Sequence, residues 1–324
     1  MTIRVGTRGS ALALAQARAT ADALHRASGE PCELVVVRTE GDTSAEPLAV
    51  IGGTGVFAGA LRTALRAGRC DVVVHSLKDL PVEPEPGLTI VAVPMREDAR
   101  DALCARDGVT LAALPTGATV GTGSPRRRAQ IVATRPDVTV VDVRGNVDTR
   151  LRLVRDGDLH AVVLAAAGLG RIGRIGEATD LLPLDTWPTA AGQGALAVEV
   201  RDEDAVHLRE PGVVPTGIGA AAAAITDAAS WSAAAAERTV LRRLQAGCAA
   251  PIGVASRVAR DSAELWASVH RPGGGFRIDR RRTATFPAGD VAARDAALQR
   301  EAGALADDLL AAGAADLAPL GATA

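Results

Sequence analysis

The sequence predicts an α/β protein of two lobes with mainly parallel sheets, followed by a small C-terminal α+β domain. Three observations carry that reading. Short β-branched runs alternate with helical patterns over the first two-thirds of the chain, as in βαβ units. The alternation breaks at MREDARDAL (95–103) and then resumes, which divides it into two units. After GALAVEV (194–200) the texture changes to an Ala-rich stretch and three strand-like runs. A chain of 324 residues also exceeds one ordinary core.

The elements follow in order. IRVGT (3–7) reads as a strand, 10–27 as an Ala-rich helix and ELVVVRT (33–39) as a second strand. Residues 57–67 read as helix, DVVVHS (71–76) as a buried strand and LTIVAV (88–93) as another. In the second unit the order is TVGTG (119–123), helix 125–134, VTVVDV (138–143), helix 147–156 and HAVVLAAA (160–167). Residues 217–246 read as helix, closed by Gly247 as its C-cap. PIGVASRVA, ELWASVHR and FRIDRRRTATF read as three strands, with PGGG (272–275) turning between the last two. A helix over 291–312 closes the chain. These boundaries assign 1–95 with 195–213 to a first domain, 100–190 to a second and 220–324 to a third.

A formal net charge of -2 argues against a chain built to coat nucleic acid or membrane. No apolar run is long enough to span a bilayer. The N-terminus lacks the pattern of a signal peptide. Cys32, Cys70, Cys104 and Cys248 form neither a CxxC pair nor a zinc spacing. They fit free thiols in a reducing cytoplasm, with no metal expected. Of 36 basic residues only Lys78 is lysine. Arginine cannot replace a compact, titratable ammonium, which makes position 78 a candidate.

Ligands of open α/β sheets sit where strands end and helices begin. Three such junctions are rich in arginine. IRVGTRGSALAL places Arg8 and Ser10 between strand and helix. TVGTGSPRRRAQI places Ser124 as N-cap, Pro125 at the first helical position, and Arg126 and Arg127 in the first turn. VDVRGNVDTRLRL places Arg144 at a strand end, Asn146 as cap and Arg150 one turn in. Arginine there opposes the helix dipole, so an external anion, carboxylate or phosphate, is expected to complete the charge. DVVVHSLKDLPVEPEPG presents Ser76, Lys78 and Asp79 after a buried strand, and Pro81 forbids a helix through them. His75 reads as structural. Cys248, in LQAGCAAPIG, lies on a loop between Gly247 and Pro251 and is the accessible thiol of the four. Two other readings share these residues: an anion-binding module without chemistry, and a Schiff-base enzyme using Lys78 with pyridoxal phosphate.

GTRGSALALAQA, GDTSAEPLAVIGGTGVFAGAL, DVVVHSLKDLPVE, REDARDAL, VGTGSPRRRAQ, RGNVDTRL, LAAAGLGRIGR, AAGQGALAVEVR and AGCAAPIG stand in this order along the chain. Together they resemble the hydroxymethylbilane synthase (porphobilinogen deaminase) family. The resemblance implies two lobes similar to type 2 periplasmic binding proteins and a third domain carrying Cys248. It implies a dipyrromethane cofactor bonded to Cys248. It also implies a transferase of tetrapyrrole (porphyrin, heme) biosynthesis, which joins four porphobilinogens head to tail with loss of ammonia and releases hydroxymethylbilane. It implies porphobilinogen as the small-molecule partner, no nucleic acid or membrane, and a cytoplasmic monomer. By motif position, Asp79 and Lys78 would be catalytic. Cys248, Lys78, Ser76, Ser124, Arg126, Arg127 and Asp79 would hold the cofactor. Arg8, Ser10, Gln16, Arg144, Arg150 and Arg171 would hold substrate carboxylates. The chain departs from the family at Thr54, where lysine is common, at GTGSPRR, and in the Ala-rich stretch 211–236.

Overall fold

The computed structural model describes residues 2–38, 56–205, 217–247, 250–318 and 320. The chain forms two compact units, Met1–Glu97 with Ala195–Trp231, and Asp98–Gly194 with Ser232–Ala324. The first unit begins with β1 (Ile3–Thr7), α1 (Ala11–Ser28), β2 (Cys32–Val36), α2 (Val56–Arg66), β3 (Val72–Ser76) and β4 (Leu88–Ala92). The second opens with β5 (Asp101–Ala105), β6 (Thr119–Gly121), α3 (Pro125–Thr134), β7 (Thr139–Val141) and α4 (Val147–Arg155). It continues through β8 (Ala161–Ala165), α5 (Ala166–Arg171) and β9 (Asp180–Leu182). The chain then returns to the first unit for β10 (Leu196–Arg201), α6 (Asp202–Ala205) and α7 (Gly217–Ala224). Helix α8 (Ala228–Arg243) leads back to the second unit. There β11 (Ile252–Val258), β12 (Ser262–His270), β13 (Arg277–Thr285), α9 (Val291–Ala311) and α10 (Ala314–Leu317) complete the chain.

The first unit holds a five-stranded sheet in the order β2-β1-β3-β10-β4. β1 runs parallel to β2 and β3, whereas β10 runs antiparallel to β3 and β4. Alternation along β3 sends Val72 and Val74 to a core with Ala17 and Leu24 of α1 and Ala222 of α7. Val73 faces the other way, to Leu61, Ala64 and Leu65 of α2. Helices therefore cover both faces, and β3 is apolar up to its last two residues. The second unit repeats the plan in the order β7-β6-β8-β5-β9, with β5 antiparallel to β8 and β9. Both sheets are thus mixed rather than purely parallel. A separate antiparallel sheet, β11-β12-β13, packs Val254, Leu265 and Val269 against Leu298, Leu305 and Leu309 of α9.

One expectation is refined and one changes. The segment 95–103, expected as the break between two units, holds their boundary at Glu97/Asp98 and also the start of β5, whose first residue Asp101 is fully buried. The strand opens on a charge that reads with the preceding REDAR rather than with the apolar ALCA. The expected helix over 217–246 is two helices, because Asp227 Oδ1 accepts from Ser230 N (2.8 Å) and starts α8 afresh. α8 ends at Arg243 with the left-handed residue at Gln245 (φ 49°), and Ala246 N donates to Leu241 O (3.0 Å). Gln245, not Gly247, therefore occupies the capping position that usually selects glycine.

Candidate active site

In the first unit, three strand-to-helix joints set the side chains. Ser10 caps α1, accepting from Ala13 N at 3.3 Å. β3 gives way to a single 3-10 turn, Leu77–Asp79, pinned where Leu77 N donates to Ala195 O (3.1 Å). Leu77 and Leu80 are buried on either side of exposed Asp79, so the apolar pair anchors the turn and leaves the carboxylate outside. Arg8, Gln16, His75, Ser76 and Asp79 line a cavity of about 40 Å³ there. That holds roughly three waters, room for a carboxylate group. Gln16 Nε2 donates to Ser76 Oγ (3.0 Å), tying α1 to the strand end. Ser10 and Lys78 are not among the lining residues.

In the second unit, Ser124 caps α3 by accepting from Arg127 N (3.4 Å), with Pro125 in the first turn. Arg126 and Arg127 turn inward. Asp101 Oδ2 accepts from Arg126 Nη1 (2.8 Å) and Trp187 Nε1 (3.0 Å). Asp101 Oδ1 accepts from Arg127 Nη2 (2.6 Å), Arg127 Nε (3.1 Å) and Gln193 Nε2 (2.9 Å). Burial pushes the Asp101 carboxyl up, but the two guanidiniums outweigh it and hold it well below the usual carboxylate range. Arg126 further donates to Gln130 Oε1 (2.7 Å) and Pro188 O (3.3 Å), and Arg127 Nη1 to Val163 O (3.0 Å). Part of the anion expected for this pair is therefore supplied from inside. A carboxylate buried at the start of β5 faces the helix start and neutralises one of the two charges.

One positive charge remains, and it has cationic neighbours. Asn146 caps α4, accepting from Thr149 N (2.9 Å). Half-buried Arg150 donates from Nε to Gly145 O (2.9 Å). Burial lowers the Arg150 pKa, and the cations Arg127 and Arg144 lower it further, with only Asp142 opposing. Arg144 Nε lies 3.8 Å from Asp142 Oδ2. At the end of α5, Arg171 Nη2 donates to Gly194 O (2.6 Å). A guanidinium depressed by two neighbouring cations marks a cluster suited to an added anion.

Sequence reasoning missed Asp101 as the partner of both arginines. It also left out His75, which lines the cavity, and Glu199 and Arg62 behind it. The available signal was a single charge opening an otherwise apolar run, as in DALCA (101–105), or set within one, as in ALAVEV (195–200). Cys248 and Thr54 lie outside the described residues. Among the described residues, no His, Cys, Asp and Glu group is arranged to hold a metal. No helix among them is long and apolar enough to cross a membrane.

A family model described as the dipyrromethane cofactor binding domain of porphobilinogen deaminase matches residues 3–209. A second, the porphobilinogen deaminase C-terminal domain, matches 231–290. Porphobilinogen deaminase of Leifsonia xyli subsp. xyli is 55% identical over 98% of this chain and 94% of its own length. That of Thermobifida fusca is 46% identical over 96% and 94%. Among solved structures, a periplasmic substrate-binding protein of an ABC transporter from Coxiella burnetii is similar over 73% of this chain and 96% of its own. Its identity is 13% and its TM-score 0.43. Matched over both its parts, the chain belongs to the porphobilinogen deaminase family.

Proposed function

We propose that the chain joins four porphobilinogen molecules head to tail, with loss of ammonia at each step, and that Asp79 is the catalytic carboxylate. The observation that carries this is the cavity at the end of β3, where Asp79 stands with Arg8, Gln16 and Ser76. Loss of ammonia develops positive charge on the substrate, and a fixed carboxylate stabilises it electrostatically. Each pyrrole unit brings two carboxylates, so donors must surround it. Arg8, Ser10, Gln16, Ser76 and Lys78 in the first unit serve that role, as do Ser124, Arg144, Arg150 and Arg171 in the second. Arg126 and Arg127, both turned onto Asp101, hold the start of α3 and lend it one net positive charge.

The donor set fits dipyrromethane, a group with several carboxylates and no need of a metal. The cations that depress Arg150 are the observation in its favour. Cys248 is the residue we assign to its covalent attachment. When bound, the group supplies the pyrrole carbon to which the next unit is joined. Anchoring makes each joining nearly intramolecular. Lys78 adds the only ammonium of the chain beside Asp79. We assign the activity to a cytoplasmic monomer.

Intact mass tests the assignment. Active protein should exceed its sequence mass by two deaminated porphobilinogen units, all on the peptide containing Cys248. Cys248→Ser should lack both that mass and the activity, whereas Cys104→Ser should keep both, because Cys104 is a buried core thiol. An unmodified Cys248 peptide from fully active enzyme would overturn the attachment.

A further inference from the structure

His75 is the penultimate residue of β3, buried, and it faces away from Ser76 by strand alternation. The two residues are tied to opposite faces of the sheet. Ser76 meets Gln16 of α1. His75 meets Glu199 of β10, two residues beyond its own cross-strand partner Ala197 and so on the same face. His75 Nε2 lies 3.3 Å from Glu199 Oε2, near enough that a small turn of the ring would align an Nε2–H with the carboxylate. Arg62 of α2 grips the same carboxylate at both oxygens, Nε to Oε2 at 3.0 Å and Nη2 to Oε1 at 2.8 Å. Arg62 Nη1 reaches Glu85 Oε2 (2.7 Å), and Arg66 also donates to Glu85. Glu199 is 1% exposed and Arg62 6%. A row of alternating charge thus runs from Arg66 at the surface, beneath the sheet, to Glu199, and His75 stands between its end and the cavity that holds Asp79. A buried ionic row is a weak source of stability, so its retention under a reactive turn calls for another role.

We propose that His75, held by Glu199 and Arg62, is a positioning residue for the Ser76–Asp79 turn. The bidentate Arg62 bond fixes the carboxylate. That carboxylate orients the imidazole, and the imidazole forms the wall from which the turn departs. Gln16 steadies the same strand end from the other face, so a shift of the turn must break the Gln16–Ser76 bond or carry His75 away from Glu199. Small misplacements of a reactive group are costly, about 10²-fold for 1 Å. The proposal rests on Asp79 as the catalytic carboxylate.

The test compares cofactor-loaded wild type with His75→Phe, His75→Gln, Glu199→Gln and Asp79→Asn. His75→Phe keeps the ring and loses the N–H. It should retain the bound cofactor mass and lose about 10- to 100-fold in kcat, with KM within about threefold. His75→Gln, which restores an N–H donor, should recover most of the loss. In wild type, the imidazole ¹⁵N signals should show one Nε2–H tautomer, shifted by Glu199→Gln and not by Asp79→Asn. Should Glu199→Gln fail to fold, the Phe and Gln variants decide alone. Full kcat in His75→Phe would sink the proposal, as would equal losses in both His75 variants that track their melting temperatures. An Asp79→Asn enzyme with normal kcat would instead sink the Asp79 reading.

Discussion

Asp101 Oδ2 lies 2.8 Å from Arg126 Nη1, and both side chains are withdrawn from water. The two residues lie 25 apart in the chain, on β5 and α3. Their pairing changes what the arginine-rich helix start is for. A guanidinium closed onto a buried carboxylate holds the fold together before it holds any ligand.

Asp101→Asn should therefore act mainly on stability. The amide cannot compensate two buried guanidiniums, and breaking a buried pair from one side costs on the order of 3–5 kcal/mol. Urea unfolding checks this, and a loss under about 1 kcal/mol would contradict it. The depressed Asp101 pKa gives the sign with pH. Its contribution is complete above the ordinary carboxylate range and lost only in strong acid, so it adds no pH dependence near neutrality.

Arg126→Leu and Arg150→Leu should separate. The first leaves Asp101 with one cation and lowers the melting temperature. The second relieves Arg127 and Arg144 of a like charge, so the melting temperature should hold or rise. Arg150→Leu should instead weaken carboxylate binding by about 1.5–3 kcal/mol, the value of one charge-assisted bond. The readouts are a thermal melt and KM for porphobilinogen, and identical behaviour in both would refute the distinction.

Asp79→Asn should fold as wild type, since Asp79 is exposed and its turn is anchored by Leu77 and Leu80. Its kcat should fall by about 10² or more, as expected on removing a positioned charge or acid. Steady-state kinetics on protein whose cofactor mass has been verified makes the comparison fair.

His270 supplies an acid-side test. It is 1% exposed on β12, and neither ring nitrogen has a hydrogen-bond partner. Burial, and then the Arg277 cation, push its pKa down to about 4, with Asp279 opposing. An unfolded imidazole titrates near 6.5, so the unfolded chain takes up the proton first. Stability should be complete above about pH 6.5 and fall toward pH 4, by on the order of 3 kcal/mol. His270→Leu should flatten the melting temperature across that window. A variant with an unchanged pH profile would exclude the effect.

The α/β alternation was legible because apolar runs such as VVV in β3 are continuous and buried on both faces. The capping residues Ser124 and Asn146 were legible for a local reason: a cap is decided within four residues. Partners across the chain were not. Nothing near Arg126 in sequence names Asp101, and nothing near His75 names Glu199, because sheet order rather than spacing brings them together. The arginine pattern told of positive charge at a strand end without telling how much of it the fold had already neutralised.

The place of β10 in its sheet has a consequence for the nascent chain. β10 lies between β3 and β4, yet it is made after β5 through β9. At about 5–20 residues per second, β4 waits several seconds after leaving the ribosome for β10, its one strand neighbour among the described residues. During that interval β3 and β4 expose unpaired edges, while the strands of the second sheet are already complete. Synthesis order therefore makes the sheet that begins first close after the sheet that begins second, and its half-built form is the stage most open to aggregation or to a chaperone.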